Sequence, residues 1–255
     1  MGYGDILMIM GEAKLSFEKN ALRCVMSRFR EAEGSELYKN LPYIINENQI
    51  ESGEKVVSLK KYNYMPYIDW TQMTTDKIVY KKYTPKPAEL LINNSYLDLA
   101  DRFHSEVGDF IFIEPHVKDT FTSNNRDWGW ENYVDLVNNC NYTFVQPDYG
   151  LRILPGVVRV KTPNFLSGCA ILARAKTAVF SEGGFMHAAA ALGIRSVVIY
   201  GGVISPEITG YKIHYNFYSG GEPCGSRNPC KHCKKAMKKI PPRKVIKKLK
   251  TFFDT

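Results

Sequence analysis

Short apolar runs alternate with helix-like segments through the second half of the chain, and this alternation limits the fold more than any other feature. Runs typical of buried strands are "DFIFIEP", "YTFVQP", "VVRVKT", "TAVFSE" and "SVVIYG", and helical patterns separate them. Apolar strands joined by helices of about ten residues predict βαβ units and a parallel sheet. We therefore expect a Rossmann-type α/β domain over residues 101–220.

The first half repeats this order with weaker signals. "GDILMIMGEAKLSFEKN" is typical of a helix, and "LRCVMS", "YIINEN" and "KVVSLKKY" are typical of strands. "KKYTPKPAELLINN" is typical of a linker because prolines and asparagines interrupt regular structure. The expected organisation is a small Rossmann-like domain in residues 1–100, a second one in 101–220, and a cysteine-containing loop with a basic C-terminal helix in 221–255.

Composition restricts the classes of function. With 255 residues that are 44% hydrophobic, the chain can form substantial cores. It contains no apolar run of about 18 residues that could span a bilayer, and its start lacks the basic-then-apolar order of a signal peptide. A cytoplasmic protein with reduced cysteines is expected. The net charge of +8 favours an anionic partner such as nucleic acid or an acidic glycolipid.

The turn "SEGGFMH" carries the strongest functional signal. It follows the predicted strand "TAVFS" and opens an alanine-rich helix, so it lies at the carboxyl edge of the sheet, where open α/β folds bind ligands. Gly183 and Gly184 would let a phosphate approach N–H groups at the helix N-terminus, and His187 would donate to a phosphate oxygen. A structural interpretation stays open, in which the glycines form a tight turn and His187 is a hydrogen-bonded core residue.

A second glycine-containing loop, "YGGVISPEITGY", follows the next strand, and together the two loops favour a nucleotide site. The whole segment resembles the donor-binding segment of glycosyltransferase family 9, the heptosyltransferases and their relatives, in which Asp-Ser/Thr-Gly-x-x-His follows a strand. The resemblance implies an α/β, GT-B-like fold with two Rossmann-type domains facing a central cleft, the first one small or abbreviated. It implies donor contacts from Glu182, Gly183, Gly184, His187, Gly201, Gly202 and Thr209.

Two further segments are similar to the same family. "GYGDILM" resembles its Gly-Asp turn, so the resemblance implies that Asp5 is the catalytic base and that Gly4 lies on the acceptor side. "NNRDWGW" resembles its Lys-x-Trp-Pro segment, which places Arg126 at the lysine position and Trp128 on the acceptor side. Lys118 is a further candidate phosphate contact.

The sequence also departs from that family. Gly183 replaces a hydroxyl residue, and His116 stands roughly where the family carries serine or threonine. From the residues alone, Asp5 could equally be an N-cap of the first helix, and Arg126 could be a solvated surface charge.

The cysteines are concentrated near the C-terminus. Cys224, Cys230 and Cys233 fall within ten residues, and His232 adjoins the last of them. This set is compatible with a structural zinc site whose fourth ligand is His232 or a distant residue such as Cys169. Because the spacing is not a standard double CxxC, we favour reduced thiols in a loop that closes over the donor site.

The expected activity is transfer of a sugar from a UDP-, ADP- or GDP-sugar to a hydroxyl acceptor, with no required cofactor. Such transfer needs a general base and positive groups around the departing diphosphate. Arg227 to Lys250 contains eleven lysines and arginines and no acid, which favours DNA as the acceptor.

The favoured acceptor is 5-hydroxymethylcytosine in viral DNA, flipped from the duplex, which would place the protein in the host cytoplasm. One alternative is a heptosyltransferase-like enzyme that acts on lipopolysaccharide core or another surface glycan. Another is a non-catalytic, zinc-containing nucleic-acid-binding protein.

Overall fold

Two parallel sheets form the framework of the protein. The computed structural model describes residues 2–26, 35–59, 65–117 and 125–254. Within these ranges, one sheet has three strands in the order β2-β1-β3, and the other has six in the order β6-β5-β4-β7-β8-β9. The strands are β1 (Cys24–Met26), β2 (Ile44–Ile45), β3 (Val57–Leu59), β4 (Ile111–Glu114), β5 (Phe144–Asp148), β6 (Val158–Lys161), β7 (Thr177–Ser181), β8 (Ser196–Ile199) and β9 (Tyr215–Phe217).

Helices connect these strands and cover the sheets. They are α1 (Tyr3–Asn20), α2 (Ser35–Tyr38), α3 (Asn94–Val107), α4 (Trp130–Asn138), α5 (Phe165–Leu172), α6 (Gly184–Leu192), α7 (Pro206–Thr209), α8 (Lys231–Lys238) and α9 (Pro242–Phe253). None of the helices in the described ranges combines the length and apolar content that crossing a membrane requires.

The six-stranded sheet has the strand order of a Rossmann domain. Counted from β4, its strands lie in the order 3-2-1-4-5-6, and every pairing is parallel. The chain direction across the sheet reverses between β4 and β7, which is the topological switch point at which ligands bind in such sheets. The expected α/β, GT-B-like arrangement is confirmed, with the small sheet belonging to the first half of the chain.

The four central strands of this sheet, β4, β5, β7 and β8, are buried on both faces, which explains why they are apolar runs rather than alternating patterns. Phe112 and Phe180 belong to one core, and Ile113 and Val179, their neighbours along the strands, belong to the other. The basic α9 joins the second core through Val245, Leu249 and Phe252 and turns its lysines outward. Its apolar stripe therefore packs on the sheet, as the amphipathic pattern predicts.

Helix α1 lies between the two sheets. Its residues Ile6 to Met10 are all buried, because one side packs near the small sheet and the other against α6. At its N-terminus, the ring of Tyr3 stacks on Phe165 of α5, with 4.2 Å between the centroids. This packing fixes the first turn of α1 beside the carboxyl edge of the large sheet.

Most of the predicted elements are present. The helix expected at the start is α1, the three expected strands of the first half are β1 to β3, and the expected linker carries no regular element before α3. The strands of the first half are only two or three residues long. The predicted boundary at residue 100 falls inside α3, which packs against α5.

Candidate active site

A cavity of about 970 Å³ opens at the carboxyl ends of β4 and β7. Its lining includes residues from the first turn of α1, from the loop after β3 and from the turn between β7 and α6. Both halves of the chain therefore contribute to one site. The sequence-predicted residues that line it are Gly4, Asp5, Arg126, Glu182, Gly183, Gly184 and His187.

Arg126 and Glu182 form an ion pair in the lining of this cavity. Arg126 Nη1 lies 3.0 Å from Glu182 Oε2, and the glutamate side chain is only 5% exposed. Burial raises the pKa of Glu182 above its ordinary value, although the Arg126 charge opposes the rise. The Arg126 Nε donor is buried and has no hydrogen-bond partner among the described residues. Arg126 is thus a paired cation in the cavity lining, and it is not a solvated surface charge.

Asp5 lies in the first turn of α1 and faces the same cavity. Its Oδ2 accepts the Gly2 N–H at 3.2 Å, and its Oδ1 accepts the Tyr67 hydroxyl at 3.2 Å. Burial raises the pKa of Asp5, and the two hydrogen bonds and Arg126 oppose that rise. The carboxylate therefore caps the start of the helix and also lies in the cavity lining.

His187 is buried on α6, and its imidazole packs against Gly4. A Cβ at Gly4 would lie 2.8 Å from His187 Cδ2, so only glycine fits this approach without a shift. Nδ1 lies 2.8 Å from the Tyr211 hydroxyl, and burial lowers the pKa of His187 to about 3. A neutral imidazole whose Nδ1 accepts from Tyr211 has Nε2–H as its remaining donor.

The N-terminus of α6 reaches the cavity without a side-chain cap. Gly183 precedes the helix and provides no capping side chain, and Gly183, Gly184 and Phe185 all line the cavity. The first N–H groups of a helix have no partner within the helix, and the helix dipole adds partial positive charge there. This end of α6 is a suitable site for an anionic ligand group.

Several groups around the cavity were not found from the sequence. Glu114 ends β4 at the same sheet edge, accepts the His116 N–H at 2.7 Å, and accepts a hydrogen bond from the Tyr149 hydroxyl. Burial raises the pKa of Glu114 to about 8, so the group is largely protonated at neutral pH. The position of Glu114 at the end of the apolar run "IFIE" could have indicated a site residue at the sheet edge. No sequence pattern indicates Tyr67, because it is 62 residues from its partner Asp5.

Other predicted site residues lie outside the cavity lining. Trp128, predicted on the acceptor side, is 2% exposed, and its indole N–H donates to the Ile240 carbonyl at 2.8 Å. That burial makes it a core residue, because the C-terminal segment covers it.

The second glycine loop also packs inward. A Cβ on Gly201 would lie 2.0 Å from the Asn125 carbonyl oxygen, and one on Gly202 would lie 2.5 Å from the His232 ring. Thr209 is fully buried in α7. Lys118 falls outside the described residues.

The C-terminal cysteines do come together, apart from the cavity. Cys224, Cys230, His232 and Cys233 place one ligand atom each within 4.8 Å of one another. Cys169, the distant alternative ligand, is buried in α5 and belongs to the core. The four clustered residues are thus the candidate metal ligands of the described chain.

Two parallel α/β sheets with a shared cavity at the carboxyl edge define a GT-B-like protein. Its structure is similar to the glycosyl transferase family 9 protein from Veillonella parvula DSM 2008, with a TM-score of 0.62 and 13% identity over 99% of this chain and 95% of that chain. It is also similar to TibC, an iron-containing dodecameric glycosyltransferase from enterotoxigenic E. coli H10407, with a TM-score of 0.56 and 14% identity over 99% and 74%.

The similarity to the E. coli ADP-heptose lps heptosyltransferase II is weaker. The TM-score is 0.49 at 18% identity, and the match covers 65% of this chain and 53% of that enzyme. No protein-family model and no curated protein matches the sequence. The expected structural similarity to glycosyltransferase family 9 is confirmed, and at these identities it shows the fold.

Proposed function

We propose that this protein is a glycosyltransferase that moves a sugar from a nucleotide-sugar donor to a hydroxyl acceptor. One observation carries the proposal, which is that two kinds of group line the same cavity. The uncapped N-terminus of α6 with the adjacent Arg126 suits a diphosphate, and the buried carboxylate of Asp5 suits a general base. Sugar transfer requires this pair of groups, since negative charge develops on the leaving diphosphate while the acceptor hydroxyl loses a proton.

The donor diphosphate would bind at the N-terminus of α6. Arg126 contributes the cation, since its side chain lines the cavity and is 25% exposed. His187 contributes a neutral N–H rather than a charge, because its pKa is lowered to about 3. Glu182 cancels part of the Arg126 charge, so the backbone N–H groups of the helix would supply much of the stabilisation.

Asp5 would act as the base. The acceptor oxygen attacks the anomeric carbon, the bond from that carbon to the diphosphate oxygen breaks, and the hydroxyl proton passes to the Asp5 carboxylate. Burial raises the pKa of Asp5, which makes it a stronger base than an exposed aspartate. The Tyr67 hydroxyl fixes the orientation of the carboxylate through its hydrogen bond to Oδ1.

An ADP-sugar is the first donor to test, because one structure of TibC, similar to this chain with a TM-score of 0.53, is a complex with ADP-D-beta-D-heptose. A surface glycan is the favoured acceptor class. Among the described residues of the basic C-terminal segment, only Arg227 lines the cavity, and α9 packs on a face of the sheet. The charge that favoured DNA therefore lies largely away from the candidate site.

The test is a transfer assay with a panel of ADP-, UDP- and GDP-sugars, offered with lipopolysaccharide core or with DNA that contains 5-hydroxymethylcytosine. The mass increase of the acceptor is measured for the wild type and for Asp5→Asn. Asp98→Asn, which removes an exposed acid of α3, is the matched control and should keep full activity. We expect transfer to glycan that Asp5→Asn slows by about 10²- to 10⁴-fold.

Transfer to DNA would instead support the modification of hydroxymethylated bases. Absence of binding to every nucleotide in calorimetry would contradict the proposal and favour a non-catalytic protein.

A further inference from the structure

Three thiols and one imidazole cluster around the start of α8, outside the lining of the cavity. The Sγ atoms of Cys224, Cys230 and Cys233 form a nearly equilateral triangle. Its sides are 3.7 Å from Cys224 to Cys230, 3.4 Å from Cys224 to Cys233 and 3.2 Å from Cys230 to Cys233. This triangle needs a physical explanation, because unligated thiols gain little from such close packing.

The sides of the triangle fit a tetrahedral metal site. With metal–sulfur bonds of about 2.3 Å, tetrahedral geometry separates two sulfurs by about 3.8 Å, slightly more than the observed distances. A disulfide would bring two sulfurs to about 2.05 Å and leave the third unpaired. Three similar distances therefore favour one metal ion bound by all three sulfurs over a disulfide between two of them.

The hydrogen bonds around the cluster favour the metal-binding forms of its residues. His232 Nε2 lies 2.7 Å from the Gly220 carbonyl oxygen, so this nitrogen carries the proton and the Nδ1 lone pair is free for a metal. Histidine ligands commonly donate their other N–H to a carbonyl in this way. The Cys233 N–H points to Cys230 Sγ at 3.4 Å, and the Ser226 N–H points to Cys224 Sγ at 3.5 Å. Such donors stabilise thiolates.

We propose that Cys224, Cys230, His232 and Cys233 bind one Zn²⁺ ion in a closed tetrahedral site. Three thiolates and one imidazole are a ligand set typical of structural zinc. The ion would fix the loop of residues 224–228 at the start of α8. The four side chains would fill all four coordination positions of the ion, so the zinc would have a structural role.

The loop held by this site joins three parts of the protein. The Cys224 and Gly225 N–H groups donate to the Gly202 and Val203 carbonyls at 2.9 and 3.0 Å. The Ile78 N–H donates to the Gly225 carbonyl at 2.7 Å. The zinc loop therefore connects the segment after β8 to the part of the first half that lines the cavity.

Asn125 extends this connection to the candidate active site. It is 1% exposed, its side-chain oxygen Oδ1 accepts the Cys230 N–H at 3.0 Å, and its side-chain Nδ2 donates to the Ser226 and Asn228 carbonyls at 3.0 and 2.8 Å. Arg126 is the next residue. We infer that the zinc loop positions Arg126 through Asn125, a consequence that rests on the proposed function.

The first experiment measures metal content in the full-length protein purified under reducing conditions. Elemental analysis should find about one zinc per chain, and Cys230→Ser and Cys233→Ser should each lose most of it. Cys140→Ser, which changes a buried cysteine outside the cluster, should keep its zinc. Should the cluster variants fail to fold, wild-type protein can be stripped with a chelator and reloaded with Co²⁺, which should give the visible spectrum of tetrahedral thiolate coordination.

A protein that carries no zinc and takes up neither Zn²⁺ nor Co²⁺ would overturn the site. Stoichiometric iron without zinc would overturn the identity of the ion, and a disulfide within the cluster under reducing conditions would overturn the ligand set.

A second experiment tests the positioning role. Chelation should increase hydrogen exchange at the Ile78 and Arg227 amides, whereas α3 should be unaffected, and ADP affinity should fall by about tenfold. Unchanged exchange with zinc removed would overturn the role of the loop. If the protein binds zinc but no nucleotide, the proposed function is wrong and the metal site is still supported.

Discussion

Removal of the Arg126 charge should destabilise the protein in a strongly pH-dependent way. In Arg126→Met the apolar volume is largely kept, but Glu182 loses its cation 3.0 Å away while its side chain stays 5% exposed. The loss of unfolding free energy has an upper limit, because the buried Glu182 carboxyl can take up a proton instead of staying charged. A glutamate in the unfolded chain has a pKa of about 4.3, so keeping Glu182 protonated in the folded state costs about 3.7 kcal/mol at pH 7 and about 1 kcal/mol at pH 5.

The sign follows from the direction of the pKa shift. Burial already raises the pKa of Glu182, and loss of the Arg126 charge raises it further. The folded variant therefore binds more protons than the unfolded chain between the two pKa values, so its stability falls as pH rises through that window. Because part of this cost is present in the wild type, we expect a loss of about 2 to 3.5 kcal/mol at pH 7 and less than about 1 kcal/mol at pH 5.

The assay is urea unfolding of wild type and Arg126→Met at both pH values. Adding Glu182→Gln to Arg126→Met should recover most of the loss, because the carboxylate paired with Arg126 is then removed as well. Arg243→Met, at an exposed arginine of α9, should stay within about 0.5 kcal/mol of wild type. A loss in Arg126→Met below about 0.5 kcal/mol at pH 7, or an equal loss at pH 5, would refute the argument.

Four further outcomes are expected. Asp5→Asn should lower kcat by about 10²- to 10⁴-fold while donor affinity in calorimetry stays unchanged; equal loss of both would remove its role as base. Tyr67→Phe removes a hydrogen bond that lowers the pKa of Asp5, so the acidic limb of the kcat/KM profile should move to higher pH. Gly4→Ala should lose about 1 to 3 kcal/mol of unfolding free energy, because the new Cβ meets His187 at 2.8 Å. Trp128→Phe should lose about 1 to 3 kcal/mol with an unchanged acceptor KM, and a raised KM would restore Trp128 to the acceptor side.

The sequence by itself determined the local architecture of the protein. Buried parallel strands need apolar side chains on both faces, so β4, β5, β7 and β8 are readable as apolar runs, and the turn after β7 is readable as a ligand-binding edge. Glu182 and His187 could be predicted because they adjoin the apolar run of β7, whereas Asp5 was predicted from the resemblance of its turn to family 9. The resemblance to family 9 depended on the same local motifs.

Only the tertiary structure decided which of these groups meet. Three contacts join residues that are far apart in the sequence. The Arg126–Glu182 ion pair spans 56 positions and the Tyr67–Asp5 hydrogen bond spans 62. The hydrogen bond that buries Trp128 against Ile240 spans 112. No periodicity encodes such contacts, because they depend on the order of strands in the sheet and on how the C-terminal segment folds back. For the same reason, the local spacing of the cysteines was compatible with zinc, but only the fold brought their sulfurs into one triangle.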